Sequence, residues 1–156
     1  MTQIIKTFEP GSKGLLQITE HSLEARGELL TFETTYASLN SMFTNEKAEE
    51  IRQGFLDRKI RIRELTNQMY HEQYTKNTDF HEQLVQIRYI NPSKLKIEVE
   101  TLVYNDVVAL YQIKEDGFCI EIHSAELANQ QRQLFEFIWK QADLPIIGKN
   151  GRTSMF

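Results

Sequence analysis

The stretch that decides the fold runs Leu102-Val103-Tyr104-Asn105-Asp106-Val107-Val108-Ala109-Leu110, then Gly117-Phe118-Cys119-Ile120-Glu121-Ile122, then Ala128 through Trp139 to Ala142. Asn105-Asp106 joins two apolar runs and predicts a hairpin, although without the glycine that a tight primed turn prefers. Before it, Leu95, Ile97, Val99, Thr101 and Val103 repeat an apolar face every second residue, with Lys96, Glu98 and Glu100 on the other face. Val107 to Ile113 is apolar on both faces, the mark of a central strand. Asp116-Gly117 makes a second turn, and Phe118, Ile120 and Ile122 are expected to face inward from a third strand. Ser124 caps the helix that follows, with Glu126 in its first turn, where the helix dipole favours an acid. On a helical wheel Leu127, Ala128, Leu134, Phe135, Ile138, Trp139 and Ala142 share one broad face. Gln131 falls inside that face, whereas Phe137 points nearly opposite and is a candidate contact for another chain.

Working back toward the N-terminus, Ser12 to Leu23 reads as a helix ending at Arg26-Gly27, with Gly27 placed to take a left-handed conformation. Leu29 to Glu33 is a short strand-like run. Residues 36–43 are ambiguous. Thr44-Asn45-Glu46 starts a helix with Ala48, Ile51 and Phe55 on one stripe, and Lys59 to Leu65 alternates as a second strand. Strand, helix, strand implies a βαβ unit with parallel strands. Asn67 to Asp79 is polar and aperiodic, an expected loop. A short helix over 80–85 and a strand over 86–90 complete the pattern.

The 156 residues have the length of one ordinary domain, and 40% are hydrophobic, with nine Phe and six Tyr, enough for a core. Residues 1–147 read as that domain and 148–156 as a flexible tail. The net charge of −4 gives no global case for nucleic acid. A single cysteine, Cys119, excludes an intramolecular disulfide and a cysteine zinc cluster, and suits a cytoplasmic setting. No apolar run approaches the length of a membrane span.

The cassette 102–142 resembles the C-terminal half of the effector domain of TrmB-type sugar-sensing transcription regulators. That domain is itself similar to one half of the phospholipase D fold. The resemblance extends over roughly residues 12–142. It implies a mixed α/β sheet of about six strands, with a parallel βαβ start, antiparallel hairpins at the end and the C-terminal helix packed on the sheet. Phospholipase D enzymes carry His-x-Lys followed four residues later by Asp, the His acting as nucleophile. The matching strand here reads Ile97-Glu98-Val99-Glu100-Thr101-Leu102-Val103-Tyr104-Asn105, with neither His nor Lys. Without that nucleophile no phospho-enzyme can start, and two glutamates would repel a diester. The regulators also carry a winged helix. About eleven residues precede the first helix here, too few for one, so DNA contact would need a winged-helix partner or a longer chain.

No catalytic constellation, cofactor motif or metal motif emerges. His71 and His81 lie ten apart among acids but without three convergent ligands, and solvent-facing loop histidines are the simpler reading. Lys47, Arg52, Arg58, Lys59, Arg61 and Arg63 form a basic region, diluted by Glu46, Glu49, Glu50 and Glu64. In open α/β sheets ligands bind beyond the carboxyl ends of parallel strands. Here those ends are Glu33, Thr34 and Thr35, then Glu64, Thr66 and Asn67, with Glu98 and Glu100 on the adjoining face. This set suits the hydroxyls of a small polar ligand.

The expected function is a non-catalytic sensor or dimerisation domain linked to transcriptional regulation. It would form a homodimer through Phe137, Arg61 and Arg63. The alternatives are a nucleic-acid-binding protein using the basic strand, a divergent phosphodiesterase, and a pure protein-interaction module.

Overall fold

The computed structural model describes residues 4–34, 39–70, 75–147 and 153–154. Its elements in chain order are β1 (Ile5–Phe8), α1 (Ser12–Ser22), β2 (Glu28–Glu33), α2 (Leu39–Met42), α3 (Asn45–Asp57), β3 (Arg61–Thr66) and α4 (Thr78–Leu84). There follow β4 (Val85–Tyr89), β5 (Glu100–Tyr104), β6 (Val107–Tyr111), β7 (Cys119–His123), α5 (Ala125–Trp139), β8 (Ile146–Ile147) and β9 (Thr153–Ser154).

Seven strands form one sheet in the order β1-β7-β6-β5-β2-β3-β4. β2, β3 and β4 run parallel, as the βαβ reading implies. β5 lies antiparallel on β2, and β6, β7 and β1 continue antiparallel to the edge. The sheet is therefore one strand larger than the sequence suggested. The extra strand is β1, whose four residues Ile5-Lys6-Thr7-Phe8 are too few to show a period but pair in register with Cys119 to Ile122.

Parity along each strand sends side chains to two separate cores. Leu29, Ile62, Ile87, Leu102 and Ala109 face α1, α3 and α4, which contribute Leu15, Ile18, Ile51, Phe55, Phe80 and Leu84. Leu30, Leu65, Val103 and Val108 face α5, which contributes Ala128, Phe135 and Trp139. Helices thus cover both faces, the usual requirement of a sheet with parallel strands.

Local chemistry fixes the joints. Thr44, Asn77 and Ser124 cap α3, α4 and α5 by accepting from Lys47, Phe80 and Leu127 backbone N–H groups. Gly27 takes φ +86 between α1 and β2, as its placement after the helix predicted. The β5–β6 turn works without glycine because Asn105 adopts φ 48. Its side chain accepts from the Arg26 N–H and donates to the Glu24 carbonyl, tying the hairpin to the end of α1.

Three expectations change. The long strand expected over 95–103 is paired only from Glu100; among the described residues β2 ends at Glu33, so the residues before Glu100 run past it. β7 presents the opposite face to the main core: Cys119 and Glu121 are buried, while Ile120 and Ile122 are half-buried. Leu134 is 46% exposed although it shares the apolar face of α5, and it is absent from the core cluster that α5 forms with the sheet. Beyond α5, β8 and β9 pair in a small antiparallel ladder. Most of the segment expected to be a flexible tail lies outside the described residues. No described helix is long and apolar enough to cross a membrane.

Candidate functional site

The carboxyl ends of β2 and β3 and the start of β5 meet at one end of the sheet, on the face covered by α3. Parity places Glu33 of β2, Glu64 of β3 and Glu100 of β5 on that face. Each lies two residues along its strand from an apolar or neutral core position: Thr31, Ile62 and Leu102. The sheet delivers three acids to one place because each strand keeps its period one residue pair beyond the apolar core.

Glu100 is only 3% exposed. Its Oε2 accepts from the Thr34 backbone N–H at 2.8 Å and from the Thr34 hydroxyl at 2.7 Å. Burial nevertheless dominates those two bonds and pushes its carboxyl up to about 8, with Glu64 adding repulsion. Glu33 and Glu64 are half-buried by surface area, yet enough protein surrounds them to desolvate both. Desolvation and the negative charges of Glu64 and Glu100 raise Glu33 well above the usual carboxylate range. Desolvation also raises Glu64, but the hydrogen bond from Glu33 and the charge of Arg52 hold it back. The two carboxyls therefore titrate as a coupled pair, both raised by desolvation above the usual carboxylate range.

Arg52 is the cation of the region. It sits on the buried stripe of α3 and is 2% exposed. Its Nη1 donates to Glu49 at 3.2 Å and its Nη2 to Asn40. Glu49 also accepts from the Thr75 hydroxyl at 2.9 Å. Sequence reasoning grouped Arg52 with an exposed basic surface. Its position four residues after Ala48 and three before Phe55 was the available signal that it points inward.

Two hollows adjoin at these strand ends. The inner one holds about 90 Å³ and lies between the three carboxyls, Thr31, Tyr111 and the apolar side chains of Phe55, Ile62, Phe80 and Leu102. The outer cleft is larger, about 600 Å³, and is lined by Thr34, Asn67, Ile97, Glu98, Tyr111 and Gln112. Tyr111 lines both. Burial and the surrounding carboxylates raise its phenol well above its ordinary value, so it stays protonated.

The sequence-derived ligand set divides accordingly. Glu33, Glu64 and Glu100 line the inner hollow, while Thr34, Asn67 and Glu98 line the outer cleft. Glu98 is exposed and pairs with Lys96 at 3.0 Å. The Asn67 amide donates to the carbonyls of Ile90 and Leu95 and accepts from the Ile97 N–H, so it clamps the loop before β5. Thr66 is buried and accepts from the Gln68 N–H as a turn anchor. Thr35 lies outside the described residues. Thr31 and Tyr111 joined the site without a sequence signal, because only the fold brings β6 beside β5 and β2.

The proposed dimer residues separate in the same way. Phe137 is 67% exposed on α5. Arg61 is exposed. Arg63 instead turns onto α5, pairs with Glu28 at 3.0 Å and with Glu136, and lies over the rings of Phe135 and Trp139 at 5.4 and 5.3 Å. A second buried acid, Glu121, lies farther along the main-core face and is satisfied by His21 at 2.9 Å and His123 at 3.4 Å. Among the described residues no group of three or more His, Cys, Asp or Glu side chains has a geometry that could hold a metal ion.

No protein-family model matches the chain, and no curated protein matches its sequence. Solved structures do match. TrmBL2, an archaeal chromatin protein with a novel mode of DNA binding, superposes with a TM-score of 0.60 at 14% identity over 92% of this chain and 55% of its own. This chain thus spans about half the length of TrmBL2. NucT from Helicobacter pylori gives 0.63 at 8% identity, covering 90% of this chain and 96% of its own. Nuc from Salmonella typhimurium, a phospholipase D family member, gives 0.61 at 10% identity over the same 90% and 96%. At these identities the likeness establishes the fold: a phospholipase D-like α/β unit that resembles a TrmB-type effector domain.

Proposed function

We propose that the domain is a non-catalytic sensor that takes a small polar ligand at the strand ends and links that event to a partner or to a second copy of itself. The observation that carries this reading is that the segment resembling the phospholipase D catalytic strand, Ile97 to Asn105, holds neither His nor Lys. Of its two glutamates, Glu98 pairs with Lys96, and Glu100 is buried and bonded to Thr34. A buried, proton-holding carboxyl is neither a nucleophile for phosphorus nor a cation for phosphate oxygens. The outer cleft, by contrast, offers Thr34, Glu98 and Gln112 to hydroxyl groups.

Arg63 argues against the basic strand as a nucleic-acid surface, because its guanidinium already serves Glu28, Glu136 and two rings. The described partner surface is apolar instead: Leu134 and Phe137 stand one helical turn apart on α5, both exposed. A homodimer or a DNA-binding partner would seat there. Light scattering at high protein concentration should report a dimer that dissociates on Phe137→Ser.

Thermal denaturation with glucose, maltose and inositol tests the sensor role. A ligand that binds only the folded state at a hundredfold excess over Kd adds roughly 2.7 kcal/mol. The expected result is a raised Tm with at least one polyol, lost on Thr34→Val or Glu98→Ala. No shift with any of them, together with turnover of a generic phosphodiester, would overturn the reading.

A further inference from the structure

We infer that the inner hollow is a binding chamber for a compact organic cation, a primary alkylammonium whose head meets Glu64 and Thr31 and whose short tail lies on Phe55 and Phe80. This rests on the sensor reading and names the chemistry of one ligand it would take.

Four observations carry it. The hollow of about 90 Å³ is several times what one water needs, roughly 10–15 Å³. Its walls are chemically divided, with carboxyls at the strand ends and Phe55, Ile62, Phe80 and Leu102 around the rest. An inorganic ion would use only the acidic end; an alkylammonium uses both.

Carboxyls outnumber cations here among the described residues. Arg52 acts on Glu33 and Glu64 but already pairs with Glu49 at 3.2 Å. A cationic head entering beside Thr31 would meet acids that the protein's own cation leaves only partly matched.

Thr31 supplies the independent sign. It is 8% exposed, and its hydroxyl has no hydrogen-bond partner among the described residues. The other two hydroxyl residues of α1 that line the hollow are satisfied: Thr19 donates to the Leu15 carbonyl and Ser22 to that of Thr19. Native proteins seldom leave a buried hydroxyl unmatched. A hydroxyl oxygen accepts from an ammonium N–H, and an ammonium has three donors to share between it and the carboxyls.

The chemistry also excludes the common alternatives. An anion would meet three acids. A divalent metal would need convergent ligands, which the described residues do not provide.

Titration calorimetry of the full chain with n-butylammonium chloride at pH 7.5, against n-butanol, tests the assignment on the unaltered protein. The expected result is saturable binding of the ammonium and at least tenfold weaker binding of the alcohol. Thr31→Val, which keeps the shape and removes the oxygen, should weaken butylammonium about tenfold, the worth of one charge-assisted hydrogen bond. Lys140→Ala, exposed at the end of α5 on the opposite face of the sheet, should leave the affinity unchanged. Equal affinities for ammonium and alcohol, or no saturable heat from either, would overturn the chamber. Failure here with a polyol still raising the Tm would remove the cation assignment and leave the sensor reading standing.

Discussion

The two faces of the sheet bury charge in opposite ways. On the α5 face, Arg63 is matched to Glu28 and Glu136 and lies over Phe135 and Trp139. Arg88 lies 4.7 Å from the Trp139 ring and donates to the Trp139 carbonyl at 2.8 Å. Phe135 stacks on Trp139 at 5.4 Å. Both guanidinium groups there have partners within the chain, although the Arg88 Nε has no hydrogen-bond partner among the described residues. On the other face, Glu33 and Glu64 share a nearby cation that Glu49 already engages, Glu100 is buried beside Glu64, and a threonine hydroxyl has no partner among the described residues. The first face is arranged for stability. The second carries a destabilising cluster that a fold built for stability alone would have replaced by apolar residues. Such perturbed, desolvated acids gather at functional sites more often than elsewhere.

This contrast predicts opposite responses to mutation. The largest effect should come from Trp139→Ala on the matched face. It empties the centre of a stack and removes the aromatic partner of two guanidinium groups, which should cost about 3–5 kcal/mol. A melt should show a loss of roughly 10 °C in Tm. A small change would mean that the stack contributes less than its burial implies.

Arg52→Met should come next. It removes the buried guanidinium that pairs with half-buried Glu49 and offsets Glu33 and Glu64, a loss of about 3 kcal/mol in urea denaturation. The loss should grow as pH rises and more of the cluster ionises. A pH-independent loss would show that Arg52 acts through packing alone.

Glu100→Gln should do the reverse and stabilise the fold. A carboxyl raised to about 8 makes the folded state hold a proton that the unfolded chain releases near its ordinary value. Its contribution therefore becomes less favourable as pH rises from the ordinary carboxylate pKa to about 8. The amide keeps an acceptor for Thr34 and removes the titration. The expected gain is on the order of 2 kcal/mol at pH 8 and little at pH 4. Destabilisation at pH 8 would mean that the ionised form is the one the fold uses.

Glu136→Gln should have the smallest effect. The hydrogen bond from Arg63 lowers the Glu136 carboxyl, so its contribution is present above the ordinary carboxylate pKa and is lost as pH falls below it. The group is nearly half exposed, so solvent screening limits the loss to about 0.5–1 kcal/mol at pH 7. The gap between variant and parent should close in acid.

The matched face was largely legible in the sequence. Ala128, Phe135 and Trp139 lie where the helical period placed them, and the β5–β6 hairpin has the expected turn. The strand-end acids were legible too, because position after a parallel strand is a local property. The partners were not. Arg52, Thr31 and Tyr111 come from three elements that only the sheet order brings together. Glu121 misled for the same reason: Phe118, Ile120 and Ile122 form the more apolar parity, yet Glu121 is the buried one because His21 reaches it from α1. A buried acid is invisible to periodicity when its counter-group lies a hundred residues away.

We propose that this phospholipase D-like fold binds rather than cleaves. Hydrolysis of bis-p-nitrophenyl phosphate by the purified chain tests it most directly. The expected result is no release of p-nitrophenol above the buffer rate across pH 5 to 9, in the parent and in Glu98→Ala and His123→Ala alike. Turnover in the parent that disappears in either variant would contradict it.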